Sequence, residues 1–113
     1  MSAQPAPDQL EFTAEATLVA RACGGDGRAF EQLVTAHLAA AFRIAARQTR
    51  DRMLAEEAVQ EALVVLHRQL PDYRVGSSLR ALFFAIVAKL AFTLARSERR
   101  RSVRDVRSEE HTS

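Results

Sequence analysis

The sequence predicts an all-α fold, a compact bundle of about four helices. Apolar residues recur at steps of three and four along most of the chain, which is the spacing that buries one face of a helix. The composition is 48% hydrophobic but only 6% aromatic, and a chain so rich in Ala and Leu favours helices. A chain of 113 residues is also long enough to form one domain with its own core.

The first predicted helix follows a polar, proline-containing lead. Residues 1–9 are predicted to be flexible, and the folded domain is predicted over residues 10–104. The helix runs from about 10 to 23, with Asp8 as its cap. The glycine pair at 24–25 ends it, because glycine adopts positive φ at little steric cost.

Aspartates begin the second and third predicted helices. Asp26 caps the second, whose apolar face continues to Ala45. Asp51 caps the third, which lasts to about Leu70. Pro71 stops it, since the residue before a proline is pushed out of the α region. The apolar face of the second helix comprises Phe30, Leu33, Val34, His37, Leu38, Ala41, Phe42, Ile44 and Ala45.

A loop and a strongly apolar helix complete the predicted domain. Residues 71–77 contain the Pro, Asp and Gly of a turn, and one of the serines at 77–78 can cap the next helix. That helix is apolar on most sides, so it is expected in the middle of the bundle. Three of its aromatic residues are predicted to pack rather than to stack on bases: Phe83, Phe84 and Phe92.

The last seven residues, RSEEHTS, are predicted to be an artefact. They back-translate to AGATCGGAAGAGCACACGTCT, the start of a widely used sequencing adapter, so we expect the native sequence to stop near Val106. Residues 105–113 are accordingly predicted to form a disordered tail. The natural protein is expected to be longer.

The sequence argues against several classes of protein. The single Cys23 cannot form an internal disulfide, which favours a reduced, cytoplasmic setting. There is neither a secretory leader nor an apolar run of about 18 residues, so no secretion or membrane insertion is predicted. The spacing of His37, His67 and His111 does not fit a metal site, and no phosphate-binding glycine loop is present. We therefore predict no metal, no cofactor, no small-molecule substrate and no enzymatic activity.

Charge is distributed unevenly, although the net charge is only +2. Acids crowd residues 56–61, and six arginines lie between residues 96 and 107. Four residues of the third predicted helix recur at helical spacing and should share one exposed face: Glu57, Gln60, Glu61 and Val64. Carboxylates arrayed in this way suit an arginine-bearing partner. The alternative is that Glu56 and Glu57 only complement the N-terminal end of the helix dipole.

Two motifs resemble region 2 of the extracytoplasmic-function (ECF) sigma factors, the bacterial initiation factors that direct RNA polymerase to promoters. The first is Gly-Asp-x-x-Ala-Phe at residues 25–30, and the second is Ala-Glu-(Asp/Glu)-x-x-Gln-Glu at residues 55–61. The resemblance spans about residues 17–104. It implies that Glu57, Gln60 and Glu61 dock on the coiled-coil clamp of the largest subunit of core RNA polymerase. An anti-sigma factor is a further implied partner.

The same resemblance implies that the loop and the fourth helix capture and separate the strands of the promoter −10 element. Pockets and aromatic stacking hold unpaired bases, while flanking arginines hold phosphate. The residues implied to bind DNA are Tyr73, Arg74, Ser77, Ser78, Arg80, Lys89, Arg96, Arg99, Arg100 and Arg101. For the arginines, a merely solvated basic helix end is the alternative.

The fourth helix departs from the family pattern. Leu82 stands in place of a tryptophan and Lys89 in place of an asparagine. The other departures are Phe84 for tyrosine, Ala85 and Ala88 for arginine, and Thr93 for aspartate. Lys89 attracts phosphate but reads base edges less specifically than an asparagine does. Two alternative functions therefore stay open: a sigma-like mimic that binds an anti-sigma factor without melting DNA, and a basic DNA-binding domain without polymerase contact.

Overall fold

A computed structural model of the protein describes the main chain of residues 7–111 and the side chains of residues 13–104. The described main chain forms five α-helices: α1 (Pro7–Cys23), α2 (Gly27–Val34), α3 (Leu38–Thr49), α4 (Arg52–Gln69) and α5 (Leu79–His111). Two short 3-10 turns, Thr35–His37 and Leu70–Asp72, lie between them. The predicted all-α fold is confirmed. None of the described helices has the length and apolar content needed to span a membrane.

The core lies between α3, α4 and α5, which form the three most extensive helix contacts. Its largest fully buried side chains are Leu66, Leu70, Phe83 and Val87. Fully buried alanines lie between the helices: Ala41, Ala45, Ala55, Ala58, Ala62 and Ala91. Small side chains at a contact let two helices approach closely. α5 contacts both other helices, as its apolar sequence predicts, while α1 packs against α2 and reaches the turn at 70–72.

One predicted helix is divided in the structure. The sequence predicts a continuous second helix to about Ala45, whereas α2 ends at Val34 and α3 begins at Leu38. At the break, the Thr35 hydroxyl donates a hydrogen bond to the Glu31 carbonyl, and bonds of this kind often bend helices. The apolar spacing of three and four continues across the break, which is why the sequence pattern does not reveal it.

The predicted caps of α2 and α4 are confirmed. Asp26 accepts hydrogen bonds from the backbone amides of Arg28 and Ala29. Asp51 accepts one from the backbone amide of Leu54. Each aspartate thus satisfies amides that have no partner inside the helix.

The outer ends of the first and last helices differ from the predicted positions. α1 begins at Pro7, slightly before the predicted start, and proline is common at the first position of a helix because its missing amide is not needed there. α5 runs to His111, beyond the predicted end of the domain at residue 104. Residues 1–6 and the side chains of Asp8 and of residues 105–113 lie outside the described part of the chain.

Candidate functional site

The outward face of α4 presents the four residues predicted to form a docking surface. The residues on the inward face are buried: Ala55, Ala58, Val59, Ala62 and Leu66. The exposed residues between them are Glu57, Gln60, Glu61 and Val64, and we call these four the α4 ridge. Val64 keeps 51% of its surface exposed. The ridge therefore combines three polar side chains with an apolar one.

The polar side chains of the α4 ridge have no partners among the described side chains. Glu56 lies beside the ridge and accepts a hydrogen bond from Arg52 at 3.3 Å. Within the described side chains, Glu57, Gln60 and Glu61 form no hydrogen bond or ion pair. Their oxygens are therefore free to accept hydrogen bonds from a binding partner.

The helix dipole does not account for the acids of α4. The helix begins at Arg52, and its first turn contains no acidic residue. The dipole stabilises charges mainly within that first turn, whereas Glu56 and Glu57 come later in the helix. The interpretation of these acids as partners of the dipole therefore loses its support.

A groove of about 420 Å³ lies beside the N-terminal part of the α4 ridge. Its lining residues are Asp51, Met53, Leu54, Glu56, Glu57, Gln60 and Glu98. Met53 is 79% exposed and precedes Glu57 by one helical turn. Methionine is flexible and polarizable, which suits it to binding surfaces. The sequence analysis did not include Met53 in the docking surface. Its position four residues before Glu57, on the same face of the helix, could have indicated it.

A second, apolar groove of about 340 Å³ borders the ridge at Val64. Phe30, Leu63, Val64, His67 and Arg68 line it. The rings of Phe30 and His67 meet edge to face, with their centroids 5.2 Å apart. His67 thus packs against an aromatic ring. Across the described residues, no cluster of His, Cys, Asp or Glu could hold a metal ion.

The loop between α4 and α5 is held by hydrogen bonds within the chain. Tyr73 is half-buried against the core, and its hydroxyl lies 2.9 Å from Glu15 Oε1 and 2.7 Å from the Ser77 carbonyl oxygen. The Gly76 amide donates to Glu15 Oε2 at 3.4 Å. The Ser77 hydroxyl donates to the Arg74 carbonyl at 2.6 Å. Burial and the hydrogen bond to the Glu15 carboxylate raise the pKa of the Tyr73 hydroxyl.

Other residues predicted to bind DNA lie near this loop. The Ser78 hydroxyl accepts a hydrogen bond from the Ala81 amide at 3.0 Å and so caps α5. The Arg80 guanidinium lies 5.1 Å from the centre of the Phe84 ring, which is a cation–π contact. Arg74 is exposed, and its guanidinium has no partner among the described side chains.

The second half of α5 carries a basic face. Lys89, Arg96, Arg99 and Arg100 are exposed and recur at a spacing that places them on one side of the helix. Phe92 and Val103, which are 56% and 52% exposed, share that side. We call these six residues the α5 basic face. Its C-terminal part lines a shallow groove of about 400 Å³ with Arg104.

Two predictions for α5 need correction or refinement. Phe92 is exposed rather than packed in the core, because the buried positions Phe83, Val87 and Ala91 follow each other at steps of four and Phe92 lies outside that line. Arg101 does not share the basic face. Its guanidinium lies 3.5 Å from the Glu98 carboxylate.

Comparison with known protein families identifies the region that contains these surfaces. The family model of sigma-70 region 2 matches residues 33–101. This range includes the α4 ridge, the loop, and most of the α5 basic face, but not α1. No significant match was found to a curated protein or to a solved structure.

Proposed function

The chain belongs to the sigma-70 region 2 family, and we propose that it acts in transcription initiation as the region 2 domain of an ECF sigma factor. One surface binds core RNA polymerase, and the other engages promoter DNA. The observation that carries this proposal is the α4 ridge, whose polar side chains face solvent and have no partner within residues 13–104.

The chemistry of the ridge supports a basic protein partner. A carboxylate pairs with an arginine through two parallel hydrogen bonds, and Glu57 and Glu61 are both free to do so. The resemblance to ECF factors assigns the arginine-bearing surface to the clamp of the largest polymerase subunit. Met53 and Val64 lie at the two ends of the ridge, where they add apolar contact to the charged centre.

The loop and the α5 basic face support binding to DNA. Arg74 and the basic residues of the α5 basic face are exposed and can neutralise phosphates, and such contacts fix the register of the strand. Phe92 is an exposed aromatic ring among these charges, which suits stacking on an unpaired base. Lys89 contributes charge where the family pattern has an asparagine, so this surface holds the strand more than it reads its sequence.

A sigma-like mimic that binds an anti-sigma factor without melting DNA is the second candidate. The observation that favours it is the start of α5, where Leu82 and Phe84 are partly buried against the core. Leu82 stands where the family pattern has a tryptophan, and the Phe84 ring already packs beside Arg80. Neither side chain is then available to hold an unpaired base. A polymerase-dependent open-complex assay on promoter DNA separates the two candidates, because a mimic supports no strand opening.

Capture of core RNA polymerase tests the main proposal. The variant Glu57→Ala/Gln60→Ala/Glu61→Ala should lose capture, while its melting temperature stays close to that of the unchanged chain because all three residues are exposed. Glu31→Ala/Gln32→Ala is a matched control, since these residues form a similar exposed Glu and Gln pair on α2. Undiminished capture by the triple variant would refute the role of the ridge.

A further inference from the structure

We propose that Glu15 is a positioning residue, which holds the loop of residues 73–77 in its DNA-engaging shape through the Tyr73 hydroxyl and the Gly76 amide. The inference rests on the proposed function, because it concerns the loop assigned to promoter DNA. Glu15 lies on α1, outside the residues matched by the family model. In this inference Tyr73 anchors the loop and does not itself contact DNA.

The geometry of the Glu15 carboxylate carries the inference. Its two oxygens point to two different positions of the loop: Oε1 lies 2.9 Å from the Tyr73 hydroxyl, and Oε2 accepts from the Gly76 amide at 3.4 Å. Tyr73 follows Glu15 by 58 positions in the sequence, and Gly76 follows it by 61. These contacts connect the N-terminal helix to a loop whose other hydrogen bonds, among the described residues, are local.

The loop needs such a connection because its own bonds are few. Gly76 has a φ of +96°, a conformation that glycine reaches easily but also leaves easily. The amide and the hydroxyl of Ser77 both donate to the Arg74 carbonyl, so they close one turn without fixing it to the rest of the domain. Glu15 adds a polar attachment to α1, beside the packing of Tyr73 and Val75 against the core.

The attachment determines how the loop meets a ligand. Arg74 and Val75 lie between the two held positions, and the Arg74 side chain is exposed. A loop that is ordered before binding loses less conformational entropy when it binds. Holding Tyr73 and Gly76 therefore favours DNA binding by Arg74 without any contact between Glu15 and the DNA.

A titration of the phenol tests the contact itself. Tyr73 is the only tyrosine, and the chain has no tryptophan, so ultraviolet absorbance reports this hydroxyl alone. The Glu15 carboxylate stabilises the protonated phenol, so Glu15→Ala should lower the pKa of Tyr73 and Glu15→Gln should lower it less, because the amide oxygen still accepts a hydrogen bond. Glu31→Gln, a change at an exposed carboxylate of α2, should leave this pKa unchanged.

A double-mutant cycle tests the positioning role. The probe is a labelled single strand enriched from a degenerate DNA pool on the complex of core polymerase with the unchanged chain. Glu15→Ala and Tyr73→Phe should each weaken binding of this strand by about threefold to tenfold, the net scale of one intramolecular hydrogen bond. The loss in the double variant should be smaller than the sum of the two single losses, because both changes remove the same contact between Glu15 and Tyr73. Polymerase capture should not change in any of them.

The outcomes separate this inference from the proposed function. An unchanged phenol pKa in Glu15→Ala, or additive losses in the cycle, overturns the positioning role while DNA binding by the unchanged chain stands. A lowered pKa with undiminished strand binding also overturns it. If no strand is enriched on the unchanged chain, the DNA part of the proposed function falls and the inference falls with it. In every variant the helical circular dichroism signal must match that of the unchanged chain.

Discussion

The α4 ridge and the loop of residues 73–77 both carry polar side chains at the surface, but they use these side chains in opposite ways. Glu57, Gln60 and Glu61 have no partner among the described side chains, so their full hydrogen-bonding capacity is left for another molecule. In the loop, Tyr73 and Ser77 already bond within the chain. A substitution on the ridge therefore removes a contact, whereas a substitution in the loop first changes the shape of the loop.

This difference decides how variants of each surface are interpreted. Loss of partner binding after a ridge substitution reports that contact directly, because the fold does not depend on it. Loss of DNA binding after a change at Tyr73 does not by itself show that Tyr73 meets DNA. The α5 basic face resembles the ridge in this respect, since Lys89, Arg96 and Arg100 are exposed and unpaired among the described side chains.

The largest expected effect concerns the core on which both surfaces depend. Phe83 is fully buried between the helices, so Phe83→Ala should lower the free energy of unfolding by about 3–5 kcal/mol. Polymerase capture and DNA binding should then be lost together. Urea denaturation followed by circular dichroism measures the change.

Phe92→Ala is the matched control for Phe83→Ala on the same helix. Phe92 is 56% exposed, so its removal should change the free energy of unfolding by no more than about 0.5 kcal/mol. It should reduce binding of single-stranded DNA and leave polymerase capture intact. Equal destabilisation by both variants would show that Phe92 belongs to the core after all.

A smaller effect distinguishes free from paired arginines on α5. The guanidinium of Arg100 lies on the α5 basic face, whereas that of Arg101 lies 3.5 Å from Glu98. If Arg100 neutralises one phosphate, Arg100→Ala should reduce the slope of log affinity for single-stranded DNA against log salt by about 0.7. Arg101→Ala should change the slope less. Fluorescence anisotropy over a salt series measures both, and equal slopes for the two variants would contradict the assignment of a single basic face.

The sequence predicts the parts of this fold that rest on local signals. Asp26 and Asp51 are recognisable as caps because a short acidic side chain can bond the first free amides of a helix. The α4 ridge is recognisable for a similar reason, since helical spacing alone places Glu57, Gln60 and Glu61 together. Whether these side chains have partners within the fold depends on where the arginines lie in space, and the structure shows none for them among the side chains that it describes.

Contacts between distant residues account for what the sequence could not predict. Glu15 and Tyr73 are 58 positions apart, and no local pattern links a carboxylate on the first helix to a loop after the fourth. The break at Thr35 was missed because apolar spacing continues through it. Phe92 was placed in the core because a helix that is apolar on most sides does not show which side its neighbours will cover.

The smallest expected effect concerns the junction between α1, which carries Glu15, and α2. The Arg21 guanidinium donates to the Asp26 carboxylate, and the Ala29 amide donates to it as well, so the pKa of Asp26 lies below its ordinary value of 3.8. A lowered pKa means that the ionised form stabilises the fold. This contribution is complete above pH 3.8 and is lost as the pH falls through the lower pKa of the folded state.

Asp26→Asn should therefore melt at a slightly lower temperature than the unchanged chain near neutral pH, and the difference should shrink as the pH falls below 3.8. Circular dichroism melting curves over an acid series measure the difference. Arg21→Ala removes one of the two groups that stabilise the ionised carboxylate and leaves the Ala29 amide in place. The melting temperature of this variant should therefore depend on pH in the same direction as that of the unchanged chain, but less strongly. A difference that stays constant with pH would mean that the Asp26 carboxylate is no more stable in the folded chain than in the unfolded one, and that the attachment of α1 to α2 does not depend on its charge.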